Sequence, residues 1–240
     1  MRVQSLHGWQ VSPAEAMAIQ LRLAAQVSRK NEIQAPQLLA GVDISSANPQ
    51  GIARGAAVVM RYPQMELVEV RVVEGPPGFP YVPGLLSFRE SPLILAACQK
   101  LELTPDIFLV DGQGIAHPRR LGIASHLGLL LDTPTIGCAK SILRGRHAPL
   151  GREPGSCADL VDGGEVIGAA LRTREGVTPV YVSIGHKVDL EAAVFWVKKC
   201  CLGYRLPEPV RLAHLAAGGR LEEGRAAVAA REETRQGQLL

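Results

Sequence analysis

Short apolar runs bounded by prolines and turn residues dominate the first half of the chain, and they predict buried strands. The first run, residues 36–45, is too short for a helix that has no polar face, so we interpret it as a central strand. Side chains alternate along a strand, which places Leu39, Gly41 and Asp43 on one face. A buried aspartate is costly unless it is paired or holds a metal ion, although Asp43 could instead cap the following loop.

The same hydrophobic pattern predicts a mixed sheet flanked by helices. Three strands joined by short, turn-rich links form an antiparallel β-meander, and later buried strands alternate with helices as in parallel β/α units. The predicted strands span residues 38–46, 52–61, 67–74, 107–111, 134–138, 166–172 and 179–183, with loop and hairpin connections over residues 144–164. The predicted helices span residues 13–30, about 92–101, 118–131 and 190–200, followed by a short helix carrying Arg211 and His214. This α/β arrangement resembles the ribonuclease H-like architecture, in which carboxylates of the first and fourth strands meet.

The composition is that of a single folded domain with little bias in charge. The 240 residues are 47% hydrophobic and 20% charged, and the formal net charge is +3, so a phosphate-rich partner would need a local basic surface. No repeat or linker divides the chain, and residues 218–240 have the mixed composition of a flexible tail. Five cysteines without C-x-x-C spacing, no membrane span and no signal-peptide pattern predict a cytoplasmic protein with reduced thiols.

Residues 75–84 interrupt the periodic pattern with four prolines and three glycines. Because proline restricts the backbone, this segment is expected to be an extended loop that orders with little further loss of entropy. Tyr81 stands between Pro80 and Pro83 in this loop. It could pack on the protein surface, or it could act as a rigid aromatic wedge between stacked bases.

Carboxylates near the ends of buried strands are the main candidates for chemistry. Asp43 and Asp111 each lie near the end of such a strand. Glu90 lies at the start of a predicted helix, where it could also be no more than a partner of the helix dipole. Such oxygen ligands suit Mg²⁺, which binds one or two carboxylates together with substrate phosphate. Phosphodiester hydrolysis also needs a group that orients water and a positive charge near the phosphate, for which His214 and Lys140 are candidates.

Several blocks of the sequence resemble the endonuclease V family. The matching blocks are residues 41–43, 80–90, 110–114, 116–120, 122–128, 137–141, 181–186 and 206–214. The resemblance covers roughly residues 10–215 in order, and Val82 is a minor departure where isoleucine would be expected. The segment after His214 contains no motif of the family.

This resemblance implies a DNA repair endonuclease that depends on Mg²⁺, with Mn²⁺ able to substitute. Such enzymes recognise deoxyinosine, the product of adenine deamination. They hydrolyse the second phosphodiester bond 3′ to the lesion and leave 3′-hydroxyl and 5′-phosphate ends. The expected partner is therefore DNA containing deoxyinosine, with inosine-containing RNA as a further candidate. No membrane and no obligate protein partner is expected.

The resemblance also implies roles for individual residues. Asp43 and Asp111 would bind the metal directly, and Glu90 would act through the metal or its water. His214 would position the attacking water, and Lys140 would lie near the phosphate. The residues expected to contact the lesion, with Tyr81 as the wedge that fills the gap left by the displaced base, are Pro80, Tyr81, Pro83, Gly84, Leu86, Gly112 and Ile123.

Three alternative functions remain open from the sequence. The first is a nuclease that acts mainly on inosine in RNA. The second is a non-catalytic nucleic-acid-binding module on the same scaffold, which is disfavoured because the three carboxylates, Lys140 and His214 are all present and buried acids are costly. The third is a metal-dependent phosphatase or nucleotide hydrolase, which is disfavoured because a small substrate offers no base stack for Tyr81 to open.

Overall fold

The computed structural model of the chain describes residues 1–225, so residues 226–240, most of the predicted tail, lie outside the described residues. The helices of the described part are α1 (Pro13–Ala24), α2 (Leu86–Gln99), α3 (Ile123–Leu131), α4 (Leu190–Lys199) and α5 (Glu208–Ala217). Its strands are β1 (Leu38–Ile44), β2 (Ala53–Arg61), β3 (Glu66–Gly75), β4 (Ile107–Val110), β5 (Thr135–Ala139), β6 (Cys157–Asp162), β7 (Glu165–Leu171), β8 (Val180–His186) and β9 (Gly224–Arg225). No helix in this part of the chain has the length and hydropathy needed to cross a membrane.

The nine described strands form one mixed sheet in the order β6-β7-β8-β5-β4-β1-β2-β3-β9. Strands β1, β2 and β3 are antiparallel neighbours and make the predicted meander. Strands β1, β4 and β5 are parallel neighbours, which makes β1 a central strand with a partner on each side. The predicted ribonuclease H-like α/β architecture is therefore confirmed.

Helices cover both faces of the sheet, and the alternation predicted for β1 decides which side chains they meet. Ala40 and Val42 pack with residues of α2 and α3 on one face. Leu39 belongs to the core on the opposite face, together with residues of α4 and α5. Removal of apolar surface from water on both faces is the main force that holds β1 in place.

Gly41 allows α5 to lie very close to β1. A Cβ at this position would be 1.9 Å from the carbonyl oxygen of Pro209 and 2.2 Å from its carbonyl carbon. Because backbone atoms cannot yield as a flexible side chain can, only glycine fits at residue 41. This close approach brings His214, further along α5, to the carboxyl end of β1.

The start of α2 differs from the sequence expectation. The helix begins at Leu86 rather than near Pro92, which lies inside it. Phe88 in the first turn is buried, and its ring lies 5.7 Å from the ring of Phe79. Burial of this aromatic side chain outweighs the local tendency of proline to begin a helix. The predicted start was wrong because that packing is tertiary.

One further predicted boundary was wrong and one strand was missed, both for local reasons. Helix α3 begins at Ile123 and not at residue 118, because Arg120 has a left-handed φ of 56° that interrupts the helix. Strand β6 lies within residues 144–164, which were expected to be loop and hairpin connections. It is an edge strand in which only Leu160 is buried, so its hydrophobic alternation is weak.

The end of α1 is set by a contact with β8. The helix ends at Ala24 rather than at residue 30. The amide of Ser28 donates a hydrogen bond to Nδ1 of His186 at 3.1 Å, so the chain turns away from the helix axis to meet β8. Strand β8 itself continues to His186, beyond the predicted end at residue 183.

Candidate active site

The carboxyl ends of neighbouring parallel strands bring the predicted acidic residues together. Asp43 is the last but one residue of β1, and Asp111 directly follows β4. The two strands pair side by side, with Val42 opposite Val110. Asp43, Asp111 and His214 each offer a ligand atom, and these atoms lie within 4.8 Å of one another. The structure therefore brings three of the predicted site residues into one cluster.

His214 is held against Asp43 by a hydrogen bond. Its Nδ1 atom lies 2.9 Å from Oδ2 of Asp43, while Oδ1 of Asp43 accepts a hydrogen bond from the amide of Ile44 at 2.8 Å. An ionised carboxylate only accepts hydrogen bonds, so Nδ1 of His214 is the donor to Asp43, and this hydrogen bond leaves Nε2 unengaged. The imidazole is about half exposed and can contact a ligand from solvent.

Lys140 continues the same row of strand ends. It directly follows β5, the parallel neighbour of β4, and its Nζ forms an ion pair with Oδ2 of Asp111. The same oxygen is buried and makes no hydrogen bond of normal geometry with any residue of the described chain. The ion pair with Lys140 is thus the interaction that the described residues provide for this oxygen.

Glu90 lies on α2, outside the three-residue cluster, but close enough to respond to it. Burial, followed by the charges of Asp43 and Asp111, raises the pKa of Glu90 to about 8. Burial also raises the pKa of Asp43, the charge of Asp111 raises it further, and the hydrogen bond from His214 opposes both effects. A cation bound between these groups would relieve the repulsion. Oxygen ligands with one imidazole suit a metal ion, so the cluster is a candidate metal centre.

Tyr81 is an exposed aromatic residue on an anchored loop. Its side chain is 73% exposed rather than packed on the body of the protein. The base of the loop is fixed because Phe79 is buried against Phe88 and its carbonyl accepts a hydrogen bond from Arg89 Nη1 at 2.7 Å. The loop therefore presents the ring of Tyr81 to solvent from a stable base.

A cavity of about 170 Å³ lies beside this loop, and we call it the Tyr81 cavity. The residues predicted to contact the lesion that line it are Tyr81, Pro83, Gly84, Leu86 and Ile123. Pro80 and Gly112 do not line it, although a Cβ on Gly112 would lie only 2.4 Å from Cγ2 of Ile123. The lining residues that sequence reasoning missed are Gln20, Val82, Ser87, Gln113, His117, Gly122 and Leu143. Several of these residues lie inside the blocks that resemble the family, and that position in the sequence was the signal that could have identified them.

Hydrogen bonds fix the polar groups on one side of the Tyr81 cavity. The carbonyl of Gly84 accepts from Gln20 Nε2 at 3.0 Å, His117 Nε2 at 3.0 Å and Arg119 Nη2 at 2.7 Å. The amide of Arg119 donates to Nδ1 of His117 at 3.1 Å, so the imidazole proton resides on Nε2. Burial, followed by the charge of Arg119, lowers the pKa of His117 to about 4. At neutral pH this ring is uncharged and both nitrogens are engaged.

A second set of hydrogen bonds links Ser87 to the N-terminal segment. Nδ1 of His7 lies 2.7 Å from the carbonyl of Gly8, which can only accept, so Nε2 of His7 is an acceptor. It receives the Nε2 proton of His126 at 2.7 Å, and Nδ1 of His126 then accepts from the hydroxyl of Ser87 at 3.1 Å. Burial lowers the pKa of His126 to about 3, so the series is uncharged. The Ser87 proton is thereby directed away from the Tyr81 cavity.

Comparison of the sequence and the structure with known proteins identifies the family of this chain. The family model described as Endonuclease V matches residues 21–215. Endonuclease V of Dehalococcoides mccartyi (strain CBDB1) is 53% identical over 217 residues, covering 90% of this chain and 97% of that protein. The crystal structure of endonuclease V from Bacillus subtilis is similar with a TM-score of 0.87 and 33% identity, covering 91% of this chain and 96% of that chain. The endonuclease V of Ciona intestinalis, in complex with a 24mer DNA containing an inosine followed by a ribo-adenosine, is similar with a TM-score of 0.74 and 30% identity, covering 86% of this chain and 96% of that chain. This chain belongs to the endonuclease V family of nucleases.

Proposed function

We propose that this chain is a DNA repair endonuclease that recognises deoxyinosine and hydrolyses the second phosphodiester bond 3′ to it. The products would carry 3′-hydroxyl and 5′-phosphate ends. The observation that carries the proposal is the convergence of Asp43, Asp111 and His214 within 4.8 Å, on a molecule that also presents Tyr81 beside a cavity. Family membership supports it, as does the inosine-containing DNA in the Ciona intestinalis complex.

Asp43 and Asp111 are the proposed direct ligands of Mg²⁺, with Mn²⁺ able to substitute, and Glu90 is proposed to act through the ion or its water. Two observations support the fit. Oδ2 of Asp111 is buried and paired with Lys140, and burial together with the charges of the neighbouring acids raises the pKa of Asp43 and Glu90. When bound, the ion neutralises charge on phosphate oxygens and lowers the pKa of water.

His214 and Lys140 are proposed to complete the catalytic group. Because Asp43 accepts the Nδ1 proton of His214, the free Nε2 can accept a hydrogen bond from the attacking water and orient it. Lys140 is partly exposed and stands next to Asp111, so it can hold the scissile phosphate as a point charge. His214 is thus adjacent to Asp43 and Lys140 is adjacent to Asp111, so each would act beside a different proposed metal ligand.

The Tyr81 cavity is proposed to receive the flipped base, with Tyr81 filling the gap that the base leaves in the duplex. A mispaired inosine is easier to unstack than a normal pair, so flipping itself contributes selectivity. The residues proposed to stiffen the loop or surround the base are Pro80, Pro83, Gly84, Leu86, Gly112 and Ile123.

The test is nicking of a 5′-labelled duplex that carries one deoxyinosine, in the presence of Mg²⁺. We expect a single product that ends one nucleotide beyond the lesion, and Asp43→Ala and Asp111→Asn should abolish it. Asp159→Asn is the matched control, because Asp159 is an exposed carboxylate on β6, five strands from β1 in the sheet. Equal cutting of a matched undamaged duplex would contradict the proposal.

Inosine-containing RNA is the second candidate substrate. The reason is that the nucleic acid in the Ciona intestinalis complex has a ribo-adenosine after the inosine. An RNA of the same sequence with one inosine therefore belongs in the same experiment. Cutting of the RNA alone would replace the DNA repair proposal with an inosine-directed ribonuclease, whereas faster cutting of the DNA would support repair.

A further inference from the structure

Another cavity, of about 530 Å³, adjoins the Tyr81 cavity, and we call it the Arg146 groove. Its walls are residues 142–146, in the loop that follows β5, and residues 161–163, at the turn between β6 and β7. Leu143 lines both cavities, so the two meet at this side chain. A strand of nucleic acid with one base in the Tyr81 cavity would therefore have the groove beside it.

The two walls of the groove are fixed to each other. The amide of Arg146 donates to the carbonyl of Val161 at 2.9 Å, and the amide of Val161 donates to the carbonyl of Arg146 at 2.8 Å. Gly145 has a left-handed φ of 92°, and a Cβ there would lie 3.0 Å from Cγ of the buried Leu160. The loop is thus held in one conformation against the hairpin, and the groove is preformed.

The groove carries a positive charge that no described residue neutralises. Asp162 is its acidic lining residue, and Oδ2 of Asp162 accepts hydrogen bonds from Arg120 Nη2 and Arg144 Nε, both at 2.9 Å. The side chain of Arg146 is exposed and makes no ion pair or hydrogen bond with residues 1–225. Its guanidinium is therefore available for an anion, and its planar fork of donors matches two oxygens of a phosphate.

Apolar surface lies next to this charge. Ile142 and Leu143 line the groove and are 39% and 47% exposed. A single exposed apolar residue is common on protein surfaces, but here two adjacent ones stand beside an unpaired arginine. A nucleotide chain has this same combination, because its phosphates are anionic while its sugars and bases offer apolar surface.

The loop also gives the groove a direction relative to the proposed cut. Lys140 at the start of the loop pairs with Asp111 in the candidate metal centre, and Leu143 borders the Tyr81 cavity. Arg146 is bonded to β6, which lies three strands beyond β5 in the sheet. The path along the loop therefore runs from the metal centre, past the Tyr81 cavity, to the groove. Since the proposed cut is 3′ to the lesion, the groove lies on the 5′ side.

We propose that the Arg146 groove binds the lesion-bearing DNA strand on the 5′ side of the flipped base, with the guanidinium of Arg146 donating to a phosphate there. The inference rests on the proposed function of the Tyr81 cavity and the metal centre. The strand is then held on both sides of the flipped base, by Lys140 at the scissile phosphate and by Arg146 at a 5′ phosphate. Such a grip opposes return of the base to the stack.

The test measures binding of Arg146→Gln to a duplex with one deoxyinosine, by fluorescence anisotropy in EDTA so that the metal centre does not contribute. Loss of one charge-assisted contact with phosphate should weaken binding about tenfold. It should also reduce the slope of log affinity against log salt concentration by about 1. A second duplex carries uncharged methylphosphonates just 5′ to the lesion, and there the variant should bind within about twofold of wild type.

Two controls separate this contact from general electrostatics. A third duplex carries the methylphosphonates on the 3′ side, beyond the cut, and there Arg146→Gln should keep its full tenfold loss, about the same as on ordinary DNA. Arg61→Gln removes the same charge from an exposed arginine at the end of β2, opposite Leu38 at the start of β1 and away from Asp43. It should change the affinity for each duplex by less than about twofold, because salt screens distant charges.

Unchanged affinity and salt slope for Arg146→Gln would overturn the inference. An equal loss on the duplex neutralised 5′ to the lesion would also overturn it, and so would a loss that disappears only on the duplex neutralised on the 3′ side. Failure of wild type to cut deoxyinosine DNA in Mg²⁺ would instead overturn the proposed function, which the affinities in EDTA do not measure.

Discussion

Replacement of Gly41 by alanine tests whether the position of α5 controls catalysis. In the structure a Cβ at residue 41 would lie 1.9 Å from the carbonyl oxygen of Pro209, whereas ordinary contact begins at 3.4 Å. Helix α5 would therefore move away from β1 by about 1.5 Å. His214 belongs to this helix, and its hydrogen bond to Asp43 is 2.9 Å long. A shift of that size takes the pair beyond hydrogen-bonding distance.

The expected effect on the rate follows from the displacement. Moving a catalytic group by about 1 Å commonly lowers the rate about 100-fold, so single-turnover nicking of a deoxyinosine duplex by Gly41→Ala should fall by about that factor. Overpacking should also lower the free energy of unfolding by about 1–3 kcal/mol, measured by urea denaturation. Binding of the same duplex in EDTA should hardly change, because none of the residues that line the Tyr81 cavity belongs to α5.

Gly8→Ala is the control for adding a methyl group, because a Cβ there meets no atom within 4 Å. A second comparison places Gly41→Ala in a His214→Ala background, where the further loss of nicking should be small. Wild-type nicking by folded Gly41→Ala would refute the reasoning. A full 100-fold loss in the absence of His214 would also refute it, because the helix would then act through some other group.

Three other substitutions give separate predictions. Tyr81→Ala should weaken binding of the deoxyinosine duplex by about tenfold or more, and Tyr81→Phe should restore it, since stacking needs the ring and not the hydroxyl. Burial and then the charges of Asp43 and Asp111 raise the pKa of Glu90 from 4.5 to about 8. The folded state therefore holds this proton more tightly than the unfolded state, so the melting temperature of the metal-free protein should fall as the pH rises between these values, and Glu90→Gln should flatten the slope. Lys140→Met should tighten Mg²⁺ binding in calorimetry, since a competing positive charge leaves the acidic pair, while nicking becomes slower; weaker Mg²⁺ binding would count against that role.

The sequence was most informative where the backbone itself fixes the geometry. Alternation along β1 correctly separated Leu39 from Ala40 and Val42, an inference that needs only the two-residue repeat of a strand. The meeting of Asp43 and Asp111 was expected from the resemblance to the ribonuclease H-like architecture, and the structure shows it at the ends of two parallel neighbours. Neither feature depends on how side chains pack.

The remaining features depend on contacts between distant segments, which no local pattern encodes. Gln20 was not among the predicted site residues, yet it lies on α1, lines the Tyr81 cavity and donates a hydrogen bond to the carbonyl of Gly84, 64 residues away in the sequence. The start of α2 was misplaced because burial of Phe88 overrides the local signal of Pro92. The direction in which the Ser87 hydroxyl donates its hydrogen bond depends on His126, and the tautomer of His126 is set in turn by His7, which lies far from Ser87 in the sequence.

The positions of the site residues at the ends of adjacent strands also limit which parts of the sequence can change during evolution. Asp43, Asp111 and Lys140 stand at the ends of β1, β4 and β5, so their spacing is set by main-chain hydrogen bonds between adjacent strands, about 4.8 Å apart. Substitutions in the hydrophobic core alter packing and stability without altering that spacing. His214 is different, because its position depends on one glycine and one helix. The acidic pair and the lysine can therefore persist through extensive drift of the core sequence, whereas the histidine restricts drift at the contact between α5 and β1.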